Sequence, residues 1–133
     1  MLNRRHILTT ASVLAASVTL PEFVFGAEPV LGLTLPMTGA QAEVAKDLLA
    51  GHETALKAVG GPLVLRVLDD GFTPEKTAKN VEILASDPQV IGISGIVGAP
   101  NAQLALPVAV RMGLPVVGIR SGASSLRDGR EGL

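Results

Sequence analysis

Short apolar runs alternate with longer amphipathic ones along most of this chain, and few folds admit that alternation. Val30 to Leu35 is apolar, short and followed by Pro36, which suits a buried strand. Ala45, Leu48, Leu49, His52, Ala55, Leu56 and Val59 then recur at helical spacing, with Glu43, Lys46, Asp47, Glu53 and Lys57 opposite, up to a stop at Gly60-Gly61-Pro62. Leu63 to Leu68 predicts a second strand, broken only by Arg66 and halted at Asp69-Asp70-Gly71. Thr73 is a candidate helix cap with Pro74 at the first helical position, and Ala78, Val81, Leu84 and Ala85 line one face until Asp87-Pro88. Val90 to Val97 predicts a third strand, Asn101 to Met112 a third helix, and Pro115 to Val117 a short fourth strand after Gly113. Pro107 removes a backbone bond from the third helix, so it either kinks that helix or marks its true start. Strands without polar alternation, joined by amphipathic helices, imply a parallel sheet covered on both faces, a three-layer α/β fold.

The 133 residues suffice for one domain and are too few for two ordinary ones. The net charge is −1 and the Lys and Arg residues are dispersed, so there is no electrostatic footprint for nucleic acid. The absence of Cys excludes disulfides, thiolate metal sites, cysteine nucleophiles and a lipid-modified Cys anchor. Any site must be built from oxygen, backbone and Arg or His groups.

Residues 1–26 read as an export signal. Arg4 and Arg5 precede an apolar run from Ile7 to Leu20, shorter than the roughly 20 residues a spanning helix needs. The order Asn3-Arg4-Arg5-His6-Ile7-Leu8-Thr9 is similar to the twin-arginine pattern, with general secretion as the other route. Cleavage wants small residues at −3 and −1, and Val24-Phe25-Gly26 places the cut before Ala27. Removing Arg4, Arg5 and Glu22 with the leader leaves 9 Lys and Arg against 11 Asp and Glu, a net charge of −2. The expected product, residues 27–133, is periplasmic and keeps no membrane anchor.

In open α/β sheets ligands bind beyond the carboxyl ends of the strands. Here those ends lead into Pro36-Met37-Thr38-Gly39-Ala40, Asp69-Asp70-Gly71, Gly95 to Asn101 and Gly118 to Ser125, all rich in small or turn-forming residues. A helix start in such a loop favours a carboxylate through its unpaired N–H groups and its dipole. Asn101 and Ser124 or Ser125 are the expected starts. Arg120 offers a bidentate contact to a carboxylate, or else it pairs with Asp128 or stands in solvent.

Four segments carry a resemblance. They are Gly32-Leu33-Thr34-Leu35-Pro36-Met37-Thr38-Gly39, Leu68-Asp69-Asp70-Gly71-Phe72-Thr73-Pro74-Glu75, Val90-Ile91-Gly92-Ile93-Ser94-Gly95 and Gly113-Leu114-Pro115-Val116-Val117. In this order and spacing the chain resembles the periplasmic substrate-binding proteins of branched-chain amino acid (leucine/isoleucine/valine-binding) type, the receptors of ABC importers. The resemblance implies a periplasmic binding protein type 1 fold with two lobes. Residues 27–133 would be a partial amino-terminal lobe, from a fragment or a truncated gene product. Together with the crossover rule it implies a parallel sheet ordered 2-1-3-4, the first helix on one face and the second and third packed around it. It further implies a small solute, an amino acid or organic acid, delivered to an ABC permease, with no cofactor. The ligand-binding positions it implies are Ala99, Pro100 and Asn101 in the third loop and Arg120, Ser121 and Gly122 in the fourth. The hydroxyls that relatives present in the third loop are replaced by Ala99, Pro100 and Asn101, and Gly122 stands at a Thr position, which departs from an amino acid site.

Other chemistries fit less well. A receiver-type phosphorylation site needs a carboxylate after the third strand, where Ser94-Gly95 stands. Gly92, Gly95 and Gly98 do not have dinucleotide-loop spacing. His52 reads as a packed, hydrogen-bonded side chain and, with His6 in the leader, makes no metal site. Ser94, Ser121, Ser124 and Ser125 are expected to lack a histidine that would activate them. Met37 and Met112 read as packing residues. An exported small α/β enzyme or signalling domain is the alternative to a binding module, and it lacks a recognisable catalytic set.

Overall fold

A computed structural model of the chain describes residues 28–127; the leader through Ala27 and the segment from Asp128 lie outside the described residues. Strands β1 (Val30–Leu35), β2 (Val64–Asp69) and β3 (Val90–Ser94) alternate with helices α1 (Ala42–Val59), α2 (Pro74–Ala85) and α3 (Ala99–Arg111), and a single 3₁₀ turn, Ser124–Leu126, follows. All pairing is parallel and the strand order is β2-β1-β3. β3 carries one irregularity, where Val30 faces Val90 but Leu31 faces Gly92, so Ile91 bulges out of register.

The expected fourth strand occupies its place beside β3 but shrinks to two parallel bridges, Ile93 with Val116 and Val97 with Arg120. Ile93 donates to the Pro115 carbonyl at 2.9 Å and accepts from the Val117 N–H at 2.9 Å. Pro115 has no N–H to extend the ladder, and Val117 is 57% exposed, with nothing on its outer side among the described residues.

Two cores flank the sheet. On one face α2 and α3 bury Val81, Leu84, Ala102, Ala105 and Ala109 against Ile93 and Ile96. On the other, α1 covers Leu33 and Leu35 with Ala45. The first helix thus lies on one face and the other two on the opposite face. Gly32 lets α2 approach: a Cβ there would come 2.9 Å from Leu84 Cδ1 and 3.1 Å from Ile93 Cδ1. Arg66, the one charge in the second apolar run, pairs with Asp87 in the turn before β3. That bond, joined by the Gln89 N–H, holds the Asp87 carboxyl below its ordinary range.

Element ends differ from expectation where local chemistry intervenes. α3 begins at Ala99 rather than Asn101, because Pro100 fits a first turn whose N–H groups need no helical partner. Pro107 neither starts that helix nor breaks it. It lies inside α3 on the exposed side, as Gln103 does, and its missing N–H leaves the Gln103 carbonyl without its helical donor. Thr73 takes the extended backbone of a cap, but its hydroxyl makes no cap bond. Among the described residues no helix is long and apolar enough to cross a membrane.

Candidate functional site

The loops at the carboxyl ends of β1 and β2 are held by two aspartates with different surroundings. Asp69, exposed, accepts from the Thr38 hydroxyl at 2.7 Å, the Thr38 N–H at 3.2 Å and the Gly71 N–H at 2.9 Å. These bonds, the Thr38 hydroxyl foremost, hold its carboxyl below the ordinary value and join the first loop to the second. Asp70 is fully buried. One of its oxygens accepts from the Thr34 hydroxyl at 2.8 Å and the other from the Phe72 N–H at 2.8 Å, while Asn80 Nδ2 donates to the same Thr34 oxygen at 3.1 Å. A buried polar chain therefore runs from α2 through β1 to the second loop.

Phe72, which the sequence reading did not single out as a site residue, sits at the end of that chain. Its φ of 62° places a bulky side chain in the left-handed region, a conformation that costs about 1–3 kcal/mol and persists only where surroundings enforce it. Its ring lies on Gly98, the residue capping α3, where a Cβ would come 3.1 Å from Cε2 and 3.2 Å from Cζ. Gly98 also has φ 90°, so both the close approach and the backbone call for glycine. One signal in the sequence pointed to Phe72: it is the only Phe, Tyr or Trp outside the leader.

The third loop delivers the predicted residues to the first turn of α3. Four N–H groups at a helix start lack helical acceptors. Here Pro100 has none to offer and the Gly98 N–H is bonded to the Arg120 carbonyl at 3.1 Å, which leaves Ala99 and Asn101 as the donors of this helix start. Asn101 is 1% exposed, and its side-chain Nδ2 has no hydrogen-bond partner. The same Gly98 bond brings the fourth loop alongside, so Arg120 adjoins α3 through its backbone. The Arg120 side chain is exposed and forms no ion pair among the described residues. Ser121 Oγ accepts from the Ala123 N–H at 3.2 Å, shaping its own turn, and Gly122 is exposed. The expected helix start at Ser124 or Ser125 is a three-residue 3₁₀ turn, too short to build an aligned dipole.

Two further expectations are corrected. Ser94 does meet a histidine: its Oγ lies 2.9 Å from His52 Nε2, while His52 Nδ1 lies 2.7 Å from the Leu48 carbonyl oxygen. The carbonyl can only accept, so Nδ1 carries the proton and Nε2 accepts from the serine. With Ser94 2% exposed beneath α1 and a carbonyl where a supporting carboxylate would stand, the pair fastens a helix to the sheet rather than exposing a nucleophile. Met37 packs against the α1-side core as expected, whereas Met112 is 44% exposed. Among the described residues no three His, Asp or Glu side chains gather as a metal site.

No family model matches the chain, and no curated protein does. Solved structures do. A possible leucine/isoleucine/valine-binding protein from Rhodopirellula baltica is 31% identical over 76% of this chain and 29% of its own, with a TM-score of 0.63. A substrate-binding periplasmic protein from Ralstonia solanacearum is 28% identical over 75% of this chain and 31% of its own, with a TM-score of 0.70. A solute-binding protein of an ABC transporter from Rhodopseudomonas palustris, solved with 3,4-dihydroxybenzoic acid, is 26% identical over 68% of this chain and 27% of its own, at 0.61. The chain thus spans under a third of the length of these relatives. Parallel order, loop placement and these likenesses agree that residues 28–127 have the fold of part of a type 1 periplasmic binding protein, the fold of the leucine/isoleucine/valine-binding receptors of ABC importers.

Proposed function

We propose that this chain is part of the solute-binding receptor of an ABC importer and contributes one wall of a cleft for an amino acid or another small carboxylate. The observation that carries the reading is the start of α3, where the Ala99 and Asn101 N–H groups stand free of helical acceptors at the carboxyl ends of parallel strands. Pro100 completes that turn, and Arg120, Ser121 and Gly122 form the adjoining rim, where the exposed Arg120 would supply a bidentate contact to the ligand carboxylate. The Rhodopseudomonas relative, solved with an aromatic carboxylate, supports the ligand class. The product works by binding rather than by turnover, and it delivers its solute to a membrane permease. Export through residues 1–26 and cleavage before Ala27 place it in the periplasm.

Small-ligand sites bury about 70–90% of the ligand, and one wall supplies a fraction of that contact. Affinity in the millimolar range, about −4 kcal/mol, is therefore expected. Calorimetry of the 133-residue chain with isoleucine and with 3,4-dihydroxybenzoate tests the proposal, and micromolar binding would show a site complete in itself. Mass spectrometry of envelope material should find an N-terminus at or within one residue of Ala27; an intact Met1 on the soluble protein would refute export.

A further inference from the structure

We propose that Phe72 is a specificity-determining residue, its ring forming an apolar wall beside the α3 helix start that selects carboxylates bearing a flat apolar group. The inference rests on the reading of that helix start as a carboxylate site and names what meets the ligand's other end.

Phe72 occupies a backbone conformation that Gly or Asn would adopt at little cost. The turn itself therefore does not call for a phenylalanine. Nor does the core: Phe72 is 42% exposed and belongs to neither buried cluster. The fold nevertheless enforces its placement, with the buried Asp70 carboxylate accepting the Phe72 N–H and the Asp70 carbonyl accepting the Thr73 N–H at 3.0 Å. What the arrangement achieves is a part-exposed aromatic ring laid on the cap of α3. The ring touches Gly98, and the next N–H along the chain, that of Ala99, is one of the two free donors. A carboxylate held by Ala99 and Asn101 thus carries its organic portion within reach of the ring. A flat apolar group can stack there or meet it edge-on, whereas a methyl group covers little of it.

Isotope-labelled chain titrated with sodium benzoate and with sodium acetate, following the Ala99 and Asn101 amides by NMR, separates the two claims. Benzoate should bind about three- to tenfold more tightly than acetate. In Phe72→Gly and Phe72→Asn, both compatible with the left-handed backbone, that preference should disappear. Equal affinities in the unaltered chain, or a preference surviving both substitutions, overturns the role of Phe72 while leaving the carboxylate site standing. If neither anion moves those amides, the carboxylate site fails and this inference falls with it.

Discussion

On one face of the sheet α2 and α3 lie side by side and fully bury Val81, Leu84, Ala102, Ala105 and Ala109; on the other, the 18 residues of α1 fully bury only Ala45. Leu48, Leu49 and Leu56 of α1 are half-buried and Val59 is 84% exposed. Both faces present apolar stripes of similar regularity. The difference is lateral: two adjacent helices close each other's flanks, whereas a lone helix leaves both flanks in water. Hydrophobic stabilisation follows area removed from water, about 25 cal/mol per Å², so the α2–α3 face holds most of it. Directed bonds act on both faces, with Asn80 of α2 on Thr34 on one side and His52 of α1 on Ser94 on the other.

Cutting matched side chains from the two faces should separate them most. Leu84→Ala opens a cavity in a fully buried site and is expected to cost about 2–5 kcal/mol. Leu49→Ala, at a half-buried position, should cost about 1 kcal/mol. Urea unfolding followed by circular dichroism reads both, and equal losses would erase the contrast. Glycines give a second test with opposite signs. Gly32→Ala drives a methyl into Leu84 and Ile93 and should destabilise by about 1–3 kcal/mol, whereas Gly51→Ala in α1, where a Cβ meets nothing within 4 Å, should stabilise by about 0.5–1 kcal/mol.

His52→Ala leaves the Ser94 hydroxyl buried without its partner, at about 1–2 kcal/mol, and hydrogen exchange should quicken in α1 while α2 and α3 hold. Uniform quickening would mean that the faces unfold as one unit. The smallest effect is acid sensitivity. Asp69 and Asp87 have depressed values in the folded state against an ordinary 3.8, so their stabilisation is complete above the unfolded value and fades as pH falls through the folded one. Thermal melts should decline as pH drops below about 4, and Asp69→Asn should flatten part of that decline.

The strands, the helices and the Gly60 stop of α1 were legible because apolar period and Gly-Pro punctuation report backbone geometry directly, while the strand order and the helix faces followed from the family resemblance together with the crossover rule. The fourth strand was legible as a place but not as a ladder, since Val116 and its neighbours have strand composition while Pro115 withholds a donor. Contacts between distant residues were not legible. His52 and Ser94, 42 positions apart, meet only because β3 pairs with β1 beneath α1, a juxtaposition that neither motif shows by itself. Phe72 escaped for a related reason: its importance lies in Gly98, 26 residues on, and in a φ angle that no composition announces. Asn101 was found as a residue and misjudged as a helix start, because Pro100 draws the first turn two residues earlier.

Asp70 reaches the loop above it from within the fold, one oxygen on Thr34 of β1 and the other on the Phe72 amide. The loop that carries Phe72 is in that sense preorganised: its shape is set when the sheet forms. For a carboxylate bound at the proposed α3 site, that loop would be a wall already in order, and little conformational entropy would be lost on that side during binding.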